Sequence, residues 1–551
     1  MLPLKEKDKP IIQKLLSAGC CARCVLRFCC VSVQAAYRKQ PEETLKELQI
    51  FINDTENDKY AAESETSEDP PNKRAKLETS ITDVQSEEEA AAVVKSKDGD
   101  SRVCVVCLGI LQGLCGTTQA IKVCAVKAGN YEFDTLVLSV SLPAQLCVRE
   151  HSCWLYVKKE GLVLDKDDVI QVKEAFKWIM QGMVTKELGG IAVVTKVSPF
   201  EVSVEFTHPE TDADCHFLAA TCPDCFKPTK NKQSVFTRMA VVKALEKIPD
   251  AKFLKHYPCP PTQPTSSCSP QVQCLHVSVF VAGRYNKFCR SLPQTPWVID
   301  GERRMESSVE ELIAAPILSA FRADGFNFSS SGREDVDVRT LGNGRPFAME
   351  LLNPHKSRFS KEQMKQLQET INQSSDKIKV RDLQIVTREA MSRMKEGEEE
   401  KTKSYTALVW TQKPIQREDI SFIDDIKDLT LDQKTPLRVL HRRALAVRQR
   451  AIHSMSTRFL DSHHFYLRLK TQAGTYIKEF VHGDFGRTIP NLCQLLKTDT
   501  DILELDVEVG ESHICKTNIQ KSKHIPPTSD SLPHRGRSGA EQDQCPQGCR
   551  P

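Results

Sequence analysis

The chain has 551 residues, which is enough for two to four domains, since a domain usually takes about 100–200 residues. The hydrophobic fraction of 40% is low for a compact protein, so part of the length is expected to lie outside any core. The formal charge of +3 excludes a strongly basic protein, and a nucleic-acid surface would have to be a local patch.

The N-terminus is charged and has no apolar segment of signal-peptide type. The longest apolar stretch, Val103–Gly116, is shorter than the roughly 18 residues that a membrane-spanning helix needs. We therefore expect a soluble intracellular protein without a membrane partner. In a reducing compartment its 22 cysteines are expected to bind metal or to be buried, and not to form disulfides.

The first hundred residues change character near residue 40. Residues 1–40 contain clustered cysteines and an apolar helical stretch, Ile11–Leu16. Residues 41–100 are acidic and rich in Ser and Thr, which predicts disorder after a short helix or coiled coil at Glu43–Phe51. The basic run Pro71–Leu77 is a candidate nuclear localisation signal, although such runs are often only solvated charge. On that basis we expect the protein in both nucleus and cytoplasm.

Residues 101–270 have the pattern of a mixed globular domain. Alternating apolar residues predict strands at Leu136–Leu142 and Phe200–Phe206. Helical periodicity predicts helices at Asp168–Met180 and Ser234–Ile248. The segment Pro258–Pro270 is rich in Pro, Ser and Thr, which predicts a linker between domains.

Residues 271–509 form a second globular region, and residues 510–551 are expected to be a disordered tail. The region interleaves strands and helices, which predicts an α/β or α+β domain of catalytic size. Strands are predicted at Leu275–Ala282, Lys379–Val386, Tyr405–Trp410, Phe465–Lys470 and Ile502–Val507. Helices are predicted at Val309–Phe321, Lys361–Ile371, Arg388–Met394 and Tyr476–Val481.

Three Cys-x-x-Cys pairs are candidate metal ligands. Two such turns can supply the four thiolates of a tetrahedral zinc site, and four thiolates leave no open position, so the zinc would be structural. The spacing does not decide which two pairs combine, and incidental buried cysteines are the alternative. The pairs are Cys21/Cys24, Cys104/Cys107 and Cys222/Cys225.

The segment Ser329–Phe347, SSSGREDVDVRTLGNGRPF, carries the most chemical information. Glycines allow close approach of its backbone to another surface, and its three arginines can meet phosphates. The acids Asp335 and Asp337 would repel phosphate, so they suit a site in which one carboxylate does chemistry beside a cation. A surface loop with internal ion pairs is the alternative.

This segment resembles the catalytic motif of the pseudouridine synthases. In that motif a Gly-Arg-x-Asp loop presents the essential carboxylate, and the stretch through Pro354–His355 is similar to the archaeal and eukaryotic pseudouridine synthase ten (Pus ten) family. The resemblance implies that Asp335 is catalytic. It also implies that Lys478, in GTYIK, pairs with this carboxylate, and that Tyr405, in SYTALVW, stacks on the target uracil; a core aromatic is the alternative for Tyr405.

The resemblance extends over nearly the whole chain and implies an α+β architecture. The catalytic domain would have the pseudouridine synthase fold, with a mixed, mostly antiparallel sheet. The N-terminal residues would form a THUMP-containing accessory domain with a zinc site, leaving Cys222/Cys225 as a spare pair. The implied zinc ligands are Cys21, Cys24, Cys104 and Cys107.

Two basic segments resemble the loops with which this family holds RNA. The forefinger loop corresponds to Thr295–Ser308 and the thumb loop to Gln433–Arg448. A solvated arginine cluster is the alternative, but phosphate contacts by these loops would make RNA binding strongly salt-dependent. With Arg333 of the catalytic motif, the candidate RNA-binding residues are Thr295, Trp297, Arg303, Arg304, Arg438, His441, Arg442, Arg443 and Arg448.

The sequence therefore predicts a monomeric, cofactor-free isomerase that converts uridine to pseudouridine in tRNA. The resemblance places its targets in the TΨC loop, at sites fifty-four and/or fifty-five. A zinc-containing RNA-binding adaptor that acts on other structured RNAs without catalysis is the main rival hypothesis. A zinc-stabilised protein-interaction module is a third hypothesis. It fits the sequence less well, because the arginine loops suit RNA.

Overall fold

The computed structural model of the protein describes residues 2–53, 102–113, 127–159, 164–227, 235–395, 402–441 and 443–509. The predicted disorder after residue 53, the basic run Pro71–Leu77 and the predicted tail lie outside these residues, as does Arg442. Within the described ranges, helices are too short or too polar to cross a lipid bilayer.

The accessory region, residues 2–276, is built on a four-stranded sheet in the order β2-β1-β3-β4. Strand β1 pairs parallel with β2 and β3, and β4 closes the sheet antiparallel to β3. In β1 alternate residues are buried, as the alternation of TLVLSVS predicts. The elements are α1 (Lys9–Ser17), α2 (Ala22–Phe28), α3 (Gln34–Arg38), α4 (Pro41–Asn53), β1 (Thr135–Ser141), α5 (Gln145–Lys159), α6 (Val172–Glu187), β2 (Ala192–Val194), β3 (Phe200–Thr207), α7 (His216–Thr221), α8 (Arg238–Lys247), α9 (Asp250–His256) and β4 (Ser269–His276).

The C-terminal region, residues 279–509, is built on one large mixed sheet. Its main path runs β10-β5-β9-β16-β11-β14-β13-β12-β15, and all described pairs are antiparallel except β16 with β9. The elements are β5 (Val279–Lys287), β6 (Val298–Ile299), β7 (Glu302–Arg303), α10 (Val309–Phe321), β8 (Gly325–Ser330), β9 (Val338–Leu352), α11 (Lys361–Ser374), β10 (Ile378–Val386), α12 (Arg388–Lys395), β11 (Lys403–Thr411), α13 (Arg417–Ser421), β12 (Lys427–Lys434), β13 (Val447–Asp461), β14 (His464–Thr471), α14 (Ile477–His482), β15 (Thr488–Ile489), α15 (Leu492–Leu496) and β16 (Thr500–Val509).

Two apolar cores lie along this sheet, one for each half. One packs α10 and α11 against β5, β9 and β10, and the other packs α14 and α15 against β11, β14 and β16. The helix predicted at Val309–Phe321 is confirmed at both ends. Ser308 accepts the backbone N–H of Glu311 as its N-cap, and Arg322 ends the helix in the left-handed conformation.

Two predictions about the boundary between the regions are wrong. The strand predicted at Leu275–Ala282 is two strands in different sheets, because the chain leaves β4 at His276 and enters β5 at Val279. The segment Pro258–Pro270 is not an interdomain linker. It crosses the accessory region, where the Thr262 carbonyl accepts a hydrogen bond from Arg149, and its end belongs to β4.

A hydrogen-bonded joint connects the two regions. The carboxylate of Glu132 accepts the backbone N–H groups of Ser357 and Arg358, both at 3.1 Å. Tyr131 stacks on His355 with ring centroids 4.0 Å apart, and its hydroxyl accepts a hydrogen bond from Asn353. The accessory region therefore contacts the loop that follows β9.

Candidate active site

The acidic motif forms a loop at one end of the large sheet. Residues 331–337 connect β8 to β9, so both ends of the loop are fixed by strand pairing. The side chain of Asp335 is 29% exposed and that of Asp337 is 60% exposed. Gly342 and Gly344 lie within β9 with positive φ, where an added Cβ would be 3.0 Å from the backbone oxygens of Val509 and Tyr285. The part of the segment from Val338 to Phe347 therefore belongs to β9 and not to the loop.

A buried polar network lies beneath the loop. Glu334, beside Asp335, has a buried carboxylate that forms a 2.8 Å ion pair with the equally buried Arg345. The hydroxyl of Tyr285 donates to the same carboxylate, and Gln294 donates to the Gly332 carbonyl and to the Tyr285 hydroxyl. Burial and the charge of Glu334 raise the pKa of Tyr285 well above its ordinary value. Arg345, expected to meet phosphate, is therefore used to hold the loop.

Lys287 holds the backbone of the loop from below. Its side chain is fully buried, and its ammonium donates hydrogen bonds to three carbonyl oxygens, those of Leu292, Asp335 and Val336, at 2.8–2.9 Å. All three N–H donors of a lysine are thereby used. Burial lowers the pKa of Lys287 to about 8. Lys287 is absent from the sequence predictions, since a single lysine in a strand gives no signal of burial.

Two cations lie beside the Asp335 carboxylate. Arg438 Nη1 is 2.6 Å from Asp335 Oδ2, whereas Lys478 Nζ is 3.8 Å from the same oxygen. Lys478 donates its hydrogen bonds to Asp337, at 2.6 and 2.8 Å. Lys478 and Asp335 thus form the expected ion pair, but the described hydrogen bond to Asp335 comes from Arg438. The sequence predicts an RNA contact for this arginine.

The charge of Lys478 also acts on its closer partner. Burial opposes the ionisation of Asp337, but the hydrogen bond and the charge of Lys478 outweigh it and hold the pKa of Asp337 below its ordinary value. The two loop carboxylates are therefore both compensated by cations from other elements, Lys478 from α14 and Arg438 from the thumb loop.

Asp335, Arg438 and Lys478 lie in the wall of a cleft of about 900 Å³, whereas Asp337 is not part of its lining. The cleft is formed by the acidic loop, β11, the thumb loop and the turn that leads into α14. Tyr405 of β11 is half-buried in its lining, and burial raises the pKa of its hydroxyl, so the phenol is neutral. An anionic ligand fits this lining, because most of its charged side chains are cations: Arg333, Arg345, Lys403, Arg438, Arg443, Arg448, Arg450 and Lys478.

The predicted RNA-binding residues fall into two groups. Arg333, Arg438, Arg443 and Arg448 line the cleft. His441 is exposed on the thumb loop and is not part of this lining. Arg450, two positions beyond Arg448 on β13, reaches the same face, as alternation along a strand dictates.

The forefinger residues do not line the cleft. Thr295 is half-buried and Trp297 is 43% exposed, next to the small hairpin β6–β7. Arg303 donates to the carbonyls of Met305 and Glu306 and pairs with Glu311 at 2.7 Å, so its guanidinium braces the loop against α10. Arg304 lies 3.3 Å from Glu302.

The accessory region contains a cluster of four cysteines. Cys21 and Cys24 come from the start of α2, and Cys104 and Cys107 from a turn that packs against it, with all four Sγ atoms within 4.8 Å of one another. These thiols could hold a metal ion. In the described part of the chain Cys222 and Cys225 belong to no such cluster, and Cys222 Sγ contacts the Ala244 carbonyl.

Comparison with known proteins gives a consistent assignment along the chain. The family model described as "Pus10, C-terminal" matches residues 280–509, and "Eukaryotic Pus10, N-terminal" matches residues 104–274. The mouse tRNA pseudouridine synthase Pus10 is 59% identical over 521 residues, with 92% of this chain and 98% of the mouse protein covered. The human protein of that name is 58% identical over 523 residues, with the same coverage.

More distant relatives match the C-terminal region. The tRNA pseudouridine synthase Pus10 of Thermofilum pendens is 40% identical over 232 residues, which cover 42% of this chain and 52% of that protein. A crystal structure of a Cbf5-Nop10-Gar1 complex covers 41% of the chain at 16% identity with a TM-score of 0.24, which is too low to carry an argument. The two family models and the mammalian relatives confirm the resemblance and the enzyme class inferred from the acidic motif: this chain belongs to the Pus10 family and is a pseudouridine synthase.

Proposed function

We infer that the enzyme isomerises uridine to pseudouridine in the TΨC loop of tRNA, at sites fifty-four and/or fifty-five, with Asp335 as its catalytic carboxylate. The observation that carries this proposal is the position of Asp335 between two cations in the wall of a basic cleft. The names of the mammalian relatives support tRNA as the substrate.

Pseudouridine formation breaks the N1–C1′ glycosidic bond, turns the uracil and joins C1′ to C5, while the C5 proton is lost and N1 gains one. A carboxylate can promote the reaction by attack on C1′, by addition to C6 or by removal of the C2′ proton. All three require the Asp335 carboxylate beside the nucleoside, where the guanidinium of Arg438 and the ammonium of Lys478 lie 2.6 and 3.8 Å from its Oδ2. Within the described residues the site needs no group beyond these side chains for that role.

The target uridine has to leave its stack to reach this carboxylate, at a cost of a few kcal/mol. Stacking of the uracil on Tyr405 would offset about 1–3 kcal/mol of that cost. The cleft arginines of the thumb loop, Arg443 and Arg448, would hold the neighbouring phosphates. Trp297 and the exposed forefinger hairpin would contact RNA outside the cleft.

We assign the cysteine cluster to a structural zinc in a THUMP-containing accessory domain. A tetrahedral site with zinc–sulfur bonds of about 2.3 Å has sulfur–sulfur edges of about 3.8 Å. Cys21 Sγ and Cys107 Sγ are 3.8 Å apart, so this pair of thiols already has the sulfur–sulfur distance of a tetrahedral zinc site. Cys24, Cys104 and Cys107 are fully buried, which suits a closed site that stabilises the fold.

The test is a conversion assay on an unmodified tRNA transcript, followed by chemical mapping of pseudouridine. We expect conversion at one or both of the two adjacent T-loop sites, and its loss at the site replaced by cytidine in a matched transcript. Binding without conversion would refute the enzyme mechanism and favour the RNA-binding adaptor. Conversion at other uridines alone would refute the T-loop assignment.

The pH dependence of the reaction should report Lys287. Its pKa of about 8 means that the ammonium is intact below pH 8 and is lost as the pH rises through this value. The neutral amine has one N–H donor fewer, so one of its three hydrogen bonds to carbonyl oxygens is lost. Two of these three carbonyls belong to the acidic loop. We expect the single-turnover rate to fall as the pH rises through about 8.

Two variants check the source of this alkaline decline. Lys287→Met should react slowly at every pH and lack the decline, since the hydrogen bonds from this ammonium to the loop carbonyls are absent throughout. Lys379→Met, which removes an exposed lysine from β10, should behave like the wild type. A decline that persists unchanged in Lys287→Met would contradict the role of this ammonium.

A further inference from the structure

We propose that Arg438 is a positioning residue that fixes the Asp335 carboxylate and makes its orientation depend on the seating of the thumb loop. The proposal rests on the proposed catalytic role of Asp335. It assigns to Arg438 a task different from phosphate contact, which its place in a basic loop alone would predict. The tasks of Arg438 and Lys478 are then distinct, since Lys478 donates its hydrogen bonds to Asp337.

The guanidinium of Arg438 is divided between two carboxylates. Nε lies 2.6 Å from Glu479 Oε1 and Nη2 lies 3.3 Å from Oε2, which is a two-point contact on one carboxylate. The remaining nitrogen, Nη1, lies 2.6 Å from Asp335 Oδ2. Because a guanidinium is planar and rigid, the contact with Glu479 fixes the direction in which Nη1 points.

Glu479 is suited to be the anchor of this arrangement. Its side chain is only 2% exposed, and it lies on α14 next to Lys478. A buried carboxylate requires a paired cation, so loss of Arg438 to a phosphate would leave Glu479 uncompensated. The other thumb-loop cations of the cleft have different contacts: Arg448 donates to Thr435 Oγ1 at 3.0 Å, and Arg443 is exposed.

The position of Arg438 is in turn set by the base of the thumb loop. The backbone N–H of Leu437 donates to the buried carboxylate of Asp484, and Arg487 donates to the Thr435 carbonyl at 2.7 Å. On the other side of Arg438, Val439 is buried. The loop that would grip RNA therefore carries the cation nearest to the reactive carboxylate, and any displacement of the loop changes the contact with Asp335.

The charged groups that face Asp335 determine what removal of Arg438 should do. Among the described residues, Lys478 Nζ lies 3.8 Å from Asp335 Oδ2, and Asp337 and Glu479 are neighbouring acids. The wider cleft adds the cations Arg333, Arg345, Lys403, Arg443, Arg448 and Arg450. Lys478 donates its hydrogen bonds to Asp337, so it does not reproduce the 2.6 Å contact of Arg438 Nη1 with Asp335. Loss of Arg438 therefore removes a hydrogen bond that sets the direction of the Asp335 carboxylate.

The decisive measurement separates the single-turnover rate at saturating tRNA from RNA affinity. In Arg438→Met we expect this rate at pH 7 to fall about 10–100-fold, the cost of a carboxylate misplaced by about 1 Å, with a smaller change in affinity. Arg438→Lys should recover affinity more fully than rate, because the charge returns but the planar fork that directs Nη1 at Asp335 does not.

Arg443→Met is the matched control in the same loop. It removes a cleft arginine that has no described contact with Asp335, so the loss should appear mainly as weaker RNA affinity, with a smaller effect on the rate at saturating tRNA. If Arg438→Met behaves in the same way, Arg438 is only a phosphate contact and the proposal is overturned.

Two further variants keep these outcomes distinguishable. If Arg438→Met unfolds because Glu479 loses its partner, the double variant Arg438→Met/Glu479→Gln removes the uncompensated charge and should fold with the same fall in rate at saturating tRNA; a wild-type rate there overturns the proposal. Asp335→Asn separates the two levels of inference. Retained conversion in that variant defeats the proposed function itself, whereas its inactivity together with an unchanged rate in Arg438→Met defeats only the role of Arg438.

Discussion

Replacement of Asp335 by asparagine should reduce pseudouridine formation by at least about 10³-fold, within the range that a positioned acid, base or nucleophile contributes. Asparagine has nearly the same shape and can still accept the Arg438 hydrogen bond through its amide oxygen, so the loop should keep its conformation. It has no negative charge, and each of the three routes requires one. The measurement is the single-turnover rate on a tRNA transcript.

RNA affinity should persist in this variant, because the substitution removes a negative charge that would repel phosphate. The matched control is Asp337→Asn, which changes the same residue type two positions along the loop. Asp337 is 60% exposed and is bonded to Lys478, so its loss should cost far less activity. An inactive Asp337→Asn beside an active Asp335→Asn would reverse the assignment.

Local patterns predicted the elements whose ends are set by local chemistry. The helix at Val309–Phe321 was predicted residue for residue, since a serine cap begins it and its apolar face defines its length. The bounds of the strands around Tyr405 and Phe465 agree with the prediction within two residues, because apolar and polar residues alternate regularly along them. Errors arose where tertiary contacts decide the outcome. Alternation continues through Leu275–Ala282, although the two ends of this segment belong to different sheets. The fifteen-residue strand β9 was not predicted, because its glycines are typical of turns.

The same distinction applies to the site. Asp335, Lys478 and Tyr405 lie in short motifs, and the structure brings all three to one cleft. The residues that hold the acidic loop do not lie in such patterns. Lys287 and Glu334 are charged residues whose burial depends on partners that only the folded structure brings next to them. The contact of Arg438 with Asp335 joins residues 103 positions apart, and composition alone could only assign that arginine to RNA.

A basic loop and an acidic loop thus form one electrostatic unit in the cleft. Acids within an RNA-binding surface would weaken binding if they were left uncompensated. Here Glu334 pairs with Arg345, Asp337 with Lys478, and Asp335 with Arg438. The remaining cations can then act on phosphate, while each carboxylate is already compensated by its own partner, which is the charge arrangement that carboxylate chemistry on RNA requires.

Replacement of Cys107 by serine should remove zinc from the protein and unfold the accessory region. Cys107 is fully buried and its Sγ is 3.8 Å from that of Cys21, so serine would withdraw one of four ligands at the centre of the cluster. Structural zinc contributes about 10–16 kcal/mol of binding free energy that is coupled to folding. We expect zinc content, measured by mass spectrometry of the purified protein, to fall close to zero, together with a large loss of soluble protein.

The double variant Cys222→Ser/Cys225→Ser is the matched control, because it changes a second Cys-x-x-Cys pair that lies outside the cluster. Its zinc content and thermal stability should remain near those of the wild type. Chelation of the wild-type protein should reproduce the Cys107→Ser defect, and added zinc should reverse it, since metal binding and folding are linked. Retention of stoichiometric zinc by Cys107→Ser, or its loss from the control alone, would contradict the four-thiol site. The cluster would then have to be explained by packing of buried cysteines, which predicts a far smaller stability loss for one Cys→Ser change than the loss of a metal does.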